Sequence, residues 1–326
     1  MKTKICLLGI ALLVGVLLLP LASSAITVSP PIIELEAAKG DVINQSIKVR
    51  NESANSETYY LSAERFVAGG EAGAPVFTGE DIDLATWIKF PYENVTIPGG
   101  QTIEIPFSII VPNYAGPGGH YAAIFLSTAP PEAATTGGSN VAIASRIGTL
   151  VLVKIAGEVK EIAEISEFGT TAKTFDSLPV AFNIRVKNDG NVHLKPMGTI
   201  SIKNMWGSVA GQVAVNETGG NVLPDQIRKF EASWVKNPNA VGANTFWGKY
   251  RQQKENYAFG KYEADLGLAY GTAGKILSAK TSFWVIPWNV IMVNLALVVI
   301  IVVIIYFAVK KYNVWLVKKY ARKAKK

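Results

Sequence analysis

The stretch Gln101–Pro112, QTIEIPFSIIVP, decides the fold. Ile103, Ile105, Phe107, Ile109 and Val111 fall on one side of an extended chain, and Thr102, Glu104 and Ser108 on the other. This is the two-residue period of a strand with one buried face. Pro98, Gly99 and Gly100 supply the turn that leads into it. Upstream, VINQSIKVRN (42–51) places Ile43, Ile47 and Val49 together, and ITVSPPIIEL (26–35) is extended, with Pro30 and Pro31 suited to an edge strand. Glu57–Val67 and Ala85–Phe90 are predicted as short strands separated by the Gly- and Ala-rich segment Ala68–Gly79. Downstream, the turn Gly116–Gly119 leads into a strand at Tyr121–Ser127. Ala129–Asn140 reads as a long hairpin loop, and VAIASRIGTLVLVKIAG (141–157) as the strand after it.

The second half repeats the pattern. Val180, Phe182, Ile184 and Val186 alternate inward and end at Asn188, Asp189, Gly190 and Asn191, where Asp-Gly favours the positive φ of a tight turn. Ile200 and Ile202 begin a strand that Val209–Val215 pairs with across Trp206 and Gly207, and Phe230 and Trp234 mark a fourth. In FGKYEADLGLAYG (259–271), Tyr262, Ala264, Leu266, Leu268 and Tyr270 share a face, and Ile276–Ile286 closes the series. No helical apolar period persists for three turns between the two termini. Short strands every eight to twelve residues predict an all-β chain of two immunoglobulin-like β-sandwiches in series, residues 26–157 and 158–286.

The ends set the topology. FWVIPWNVIMVNLALVVIIVVIIYFAV (283–309) has no charge, and residues 287–309 are long enough, at about 1.5 Å per residue, to cross a bilayer core of about 30 Å as one C-terminal transmembrane α-helix. Lys310, Lys311, Lys318, Lys319, Arg322, Lys323, Lys325 and Lys326 follow without an acid, so residues 310–326 read as a basic cytoplasmic tail. Trp284, Trp288, Tyr306, Tyr312 and Trp315 suit the two headgroup layers. Residues 1–25 carry Lys2 and Lys4, an apolar run, Pro20 and small residues up to Ala25, the form of a cleaved signal peptide, with an uncleaved anchor as the alternative. Cys6, the one cysteine, lies in this segment, so the exported region has no disulfide and is held by its apolar core. The expected protein is single-pass in the cell membrane, with its two domains extracytoplasmic.

The net charge of +7 comes from the ends. Residues 26–309 hold 22 basic and 25 acidic side chains, a net charge of −3, which argues against nucleic acid as a partner. Catalytic and metal chemistry find little support either. The exported region contains only His120 and His193, both placed in exposed loops, and no nucleophile elbow, phosphate-binding glycine loop or paired-histidine metal motif. Glu161, Glu164 and Glu167 recur every three residues and read as a solvated face. Asn44, Asn51, Asn94 and Asn216 stand in N-x-Ser/Thr triplets. The expectation is a non-enzyme without cofactors.

The motifs WIKF (87–90), VTIPGGQTIEIPFSIIVP (95–112), GPGGHYAAIFL (116–126), VKNDGNVHLKPMGTISI (186–202) and LPDQIRKF (223–230), between a signal and a C-terminal span, resemble the WxL-interacting surface protein family of Gram-positive bacteria. The resemblance implies a peptidoglycan-binding first domain and a host-binding second domain. Ala129–Asn140 and Asn237–Gly260 match no pattern of that family.

Asn237–Gly260 interrupts the strands and gathers Phe246, Trp247, Tyr250, Arg251 and Tyr257; Trp, Tyr and Arg are the side chains most often found as binding hot spots. Three readings stand for this loop: contacts to a ligand, an aromatic plug at one end of the sandwich, or a contact with lipid headgroups. The expected function is a membrane-anchored binding or scaffold protein, with cell-wall polysaccharide or a surface protein as candidate partner. The alternative is an envelope assembly chaperone that uses strand addition, and an unrecognised envelope hydrolase is a third.

Overall fold

A computed structural model describes residues 26–130, 145–240, 242 and 244–323. The predicted signal peptide and most of the predicted loop Ala129–Asn140 lie outside these residues. The described chain is mostly β, with a C-terminal apolar helix, and divides into two compact units. The first holds residues 26–69, 74–160 and 190–192, the second residues 70–73, 161–189 and 193–323.

In the first unit, β1 (Ile26–Ser29), β3 (Val42–Asn51), β8 (Thr102–Ile110) and β6 (Ile88–Lys89) form one sheet in that order. The second sheet runs β2 (Ile32–Ala37), β10 (Arg146–Ile155), β9 (Gly118–Ser127), β4 (Glu57–Gly69), β5 (Ala74–Phe77), and β7 (Asn94–Ile97) also pairs with β4. The proline-broken opening segment thus supplies an edge strand to each sheet, as an N–H-poor segment should. The alternation of β8 is realised: Ile105, Phe107, Ile109 and Val111 are buried while Thr102, Glu104 and Ile110 are exposed. They share one core with Tyr59, Leu61, Ile124, Leu126, Val151 and Val153 of the other sheet.

In the second unit, β11 (Ala163–Thr170), β13 (Val180–Asn188) and β16 (Ile227–Trp234) form a three-stranded sheet. The facing sheet runs β12 (Thr174–Phe175), β18 (Lys275–Val285), β17 (Gly260–Tyr270), β14 (Met197–Asn204), β15 (Val209–Val215). The two sheets close on an aromatic cluster in which the Phe283 ring lies 5.8 Å from Phe182, 6.1 Å from Trp234 and 5.7 Å from Tyr262. Phe182 and Trp234 come from the smaller sheet, Tyr262 and Phe283 from the larger.

Each unit carries the same buried latch. Asn51 ends β3 and Asn188 ends β13, and both are fully buried. The Asn51 amide donates to Ile97 O (2.9 Å), its backbone N–H donates to Gln101 O, and its carbonyl accepts from Gly100 N. Likewise the Asn188 amide donates to Val222 O (2.8 Å), its N–H to Gln226 O, and its carbonyl accepts from Asp225 N. Gly100 and Asp225 both have positive φ, 71° and 58°, which closes the turn back against the asparagine.

Four expectations are corrected. Ala85–Phe90 is not one strand: Leu84–Trp87 forms a helical turn, α1, that buries Leu84, Ala85 and Trp87 before β6 begins. Ala68–Gly79 is not all loop, since Ala74–Phe77 pairs back on β4. Asn237–Gly260 contains a helix, α2 (Phe246–Glu255), started by the Thr245 hydroxyl accepting from Gly248 N. Its one buried side chain is Gln253, so no apolar stripe announced it. Finally, His120 and His193 are not exposed loop residues: His120 lies in β9, and both are half-buried. The last helix, α3 (Trp288–Lys323), is long and apolar enough to cross a membrane.

Candidate binding surfaces

The predicted residues of Asn237–Gly260 are held out rather than in. Trp247 is 67 % exposed and Phe246 43 %, so neither ring plugs the sheets; Tyr257 and Arg251 are also exposed and Tyr250 is half-buried. Phe246, Trp247 and Tyr250 form an edge-to-face chain, with centroids 5.3 Å and 5.8 Å apart. Tyr257 and Arg251 lie outside it. Polar side chains fix the segment instead. Buried Asn256 accepts from Lys236 N and Asn237 N and donates to Asn237 O. Buried Gln253 donates to Asn289 Oδ1 and accepts from the N–H groups of Asn289 and Val290 at the start of α3.

A second surface, absent from the sequence reading, lies on the six-stranded sheet. β2 pairs with β10 only from Leu150 to Ile155, whereas β9 pairs with all of β10. On the side away from β9, Arg146–Thr149 therefore has no paired strand among the described residues. Leu150 N donates toward the β2 side, to Pro31 O, so by alternation the N–H and C=O groups of Gly148 and Arg146 point to the same open side. The rings next to this edge form an aromatic cluster: Phe77 lies 4.7 Å from Phe125 and Phe66 lies 6.0 Å from Tyr121, with Phe66 and Phe125 buried and Phe77 exposed. Arg146 lies over Phe125 at 3.4 Å and pairs with Glu64. Gly148 is needed here because a Cβ would meet the Phe125 ring at 2.8 Å.

A third cluster joins α1 to β9. His120 Nδ1 donates to Asp83 Oδ1 at 2.6 Å and Nε2 donates to Gly116 O at 2.9 Å, while its ring packs 4.6 Å from Trp87. Both nitrogens face acceptors, so the doubly protonated imidazolium is the form that fits. Burial opposes that charge, but the hydrogen bonds to Asp83 and Gly116 and the Asp83 charge outweigh it and raise the pKa. Asp83 sits at φ 56° to reach the ring. The pair clamps α1 onto the sheet; it offers no nucleophile. The three glutamates of β11 and its approach are separately engaged: Glu161 accepts from Thr272, Glu164 faces Lys187 and Glu167 pairs with Arg185.

No family model and no curated relative matches the chain. Among solved structures, it is similar to the class 5 fimbriae chaperone CfaA, at 13 % identity over 79 % of this chain and 99 % of that one, with a TM-score of 0.38. It is similar to the E. coli chaperone DraB at 11 % identity over 80 % and 95 %, with a TM-score of 0.35. For the Pseudomonas aeruginosa CupB2 chaperone the figures are 9 %, 79 % and 100 %, and 0.34. TM-scores of this size carry no functional argument.

Proposed function

We propose that this chain is a membrane-anchored, non-catalytic binding protein that holds a segment of another exported protein by strand addition beside β10, in the manner of an envelope assembly chaperone. In this reading residues 1–25 export it, two immunoglobulin-like sandwiches lie outside the membrane, and residues 310–326 remain in the cytoplasm. Its likeness to WxL-interacting surface proteins is then one of architecture. The observation that supports the reading is the half-covered β10, whose Arg146 and Gly148 present backbone donors and acceptors on a side that β2 leaves open. Such an edge is a template for an added strand. Phe77, exposed beside this edge, would meet a side chain of the guest.

The test uses the full chain in detergent and a synthetic peptide of alternating valine and threonine with terminal lysines. The peptide should slow hydrogen exchange at the Arg146 and Gly148 amides. Arg146→Pro, which deletes one open-side N–H, should abolish this, while Arg146→Ala should keep it. Binding without protection of those amides, or binding equally retained by Arg146→Pro, would refute strand addition at this edge.

A further inference from the structure

The exposed rings of the second unit concentrate where β18 passes into α3. Gly260 pairs with Val285, and Asn204 pairs with Tyr262, so the turn carrying Trp206 lies at the same end of the larger sheet as the start of α3. Trp206, Phe246, Trp247, Tyr257, Trp284 and Trp288 are all exposed, Trp206 at 76 %. Depth can be set from the span. Counting back from Lys310, about 20 residues at about 1.5 Å each fill a core of about 30 Å and reach Val290. Gln253 accepts from the N–H groups of Asn289 and Val290, and Asn289 donates to Phe246 O, so α2 is fastened at that depth. At 3.6 residues per turn, Phe246, Tyr250 and Trp247 stand about 20°, 60° and 120° round the helix from Gln253. They occupy a continuous arc beside the face that meets α3. Lys249, Arg251 and Lys254 are exposed on the same helix against Glu255 alone, a local excess of positive charge.

We infer that α2 and the surrounding rings lie in the extracytoplasmic headgroup layer, with the rings at the acyl boundary and the basic side chains on lipid phosphates. Amphipathic rings beside cations are the side-chain set that this layer favours. The inference rests on α3 crossing the membrane. It gives Phe246, Trp247, Tyr250, Arg251 and Tyr257 one occupant, the lipid surface, and it restrains the second unit against the bilayer instead of leaving it to swing on its anchor.

The test uses the full chain carrying Cys6→Ser in vesicles of phosphatidylcholine and phosphatidylglycerol. Single cysteines at Tyr250, Ala273 and Val299 carry an environment-sensitive fluorophore, in chains whose melting matches the parent. Ala273 stands at the opposite end of β17, in the turn to β18. A group held about 5–10 Å into the boundary meets headgroup-bound quenchers, so emission from position 250 should fall to about half or less. Position 273 should be unaffected, and position 299 should be quenched from the acyl chains. If position 299 is quenched but 250 behaves like 273, the anchor stands and the inference fails, leaving α2 to water or a protein. If position 299 is not quenched, the spanning reading fails and the inference with it.

Discussion

Replacing Asn51 by alanine should destabilise the first unit far more than a surface asparagine change would. The Asn51 side chain is fully buried and makes three hydrogen bonds: its amide donates to Asn55 O (2.8 Å) and Ile97 O (2.9 Å), and its oxygen accepts from Ser53 N (2.9 Å). Each is worth about 1 kcal/mol net, and a buried acceptor left unsatisfied costs about 1–3 kcal/mol more. Ile97 is itself fully buried, so its carbonyl has no access to water. The expected loss is about 4–6 kcal/mol. For a unit of this size that lowers the melting temperature by about 15 °C. The control is Asn44→Ala: Asn44 is exposed and only accepts from the Ser108 hydroxyl, so the change should cost about 0.5 kcal/mol or less. Calorimetry of the full chain in detergent reads both. A shift below about 2 °C for Asn51→Ala would refute the latch, because three hydrogen bonds of a buried side chain cannot be lost so cheaply. The same geometry means that Asn51, despite its N-x-Ser triplet, is not glycosylated in the folded protein; an attached glycan found by mass spectrometry would contradict the burial.

Stability should also depend on pH through His120. Its pKa is raised in the fold, so its stabilisation is complete below the unfolded value of about 6.5 and is lost as pH rises through the folded value, by about 1.5 kcal/mol for one charged hydrogen bond. Denaturant titrations at rising pH, starting below the unfolded value of about 6.5, should show that fall in the parent and not in His120→Gln; identical profiles would remove the imidazolium from the account. Phe107→Ala and Leu266→Ala should each cost about 2–5 kcal/mol, since both side chains are at most 2 % exposed, and a loss below about 0.5 kcal/mol at either would mean its face is not the inner one.

The sequence by itself determined which faces are buried. The alternation in 102–110, 180–188 and 260–270 assigned Phe107, Phe182 and Leu266 inward, because side-chain direction in a strand follows from its two-residue period whatever strand lies beside it. It also determined the apolar C-terminal helix, whose composition alone suffices. The latch was legible in principle, since KVRN before PGGQ and RVKN before PDQ repeat one scheme, but only hydrogen bonds between the two segments reveal what the asparagines do. Tertiary structure alone decided the rest. Helix α2 is fixed by Gln253 bonding the start of α3, a contact 36 residues away that leaves no apolar stripe. The pKa of His120 is raised by a hydrogen bond to Asp83, 37 residues distant. How much of β10 is paired among the described residues depends on where the parallel strand β2 stops, and pairing between segments more than a hundred residues apart is set by how two sheets close on a shared core.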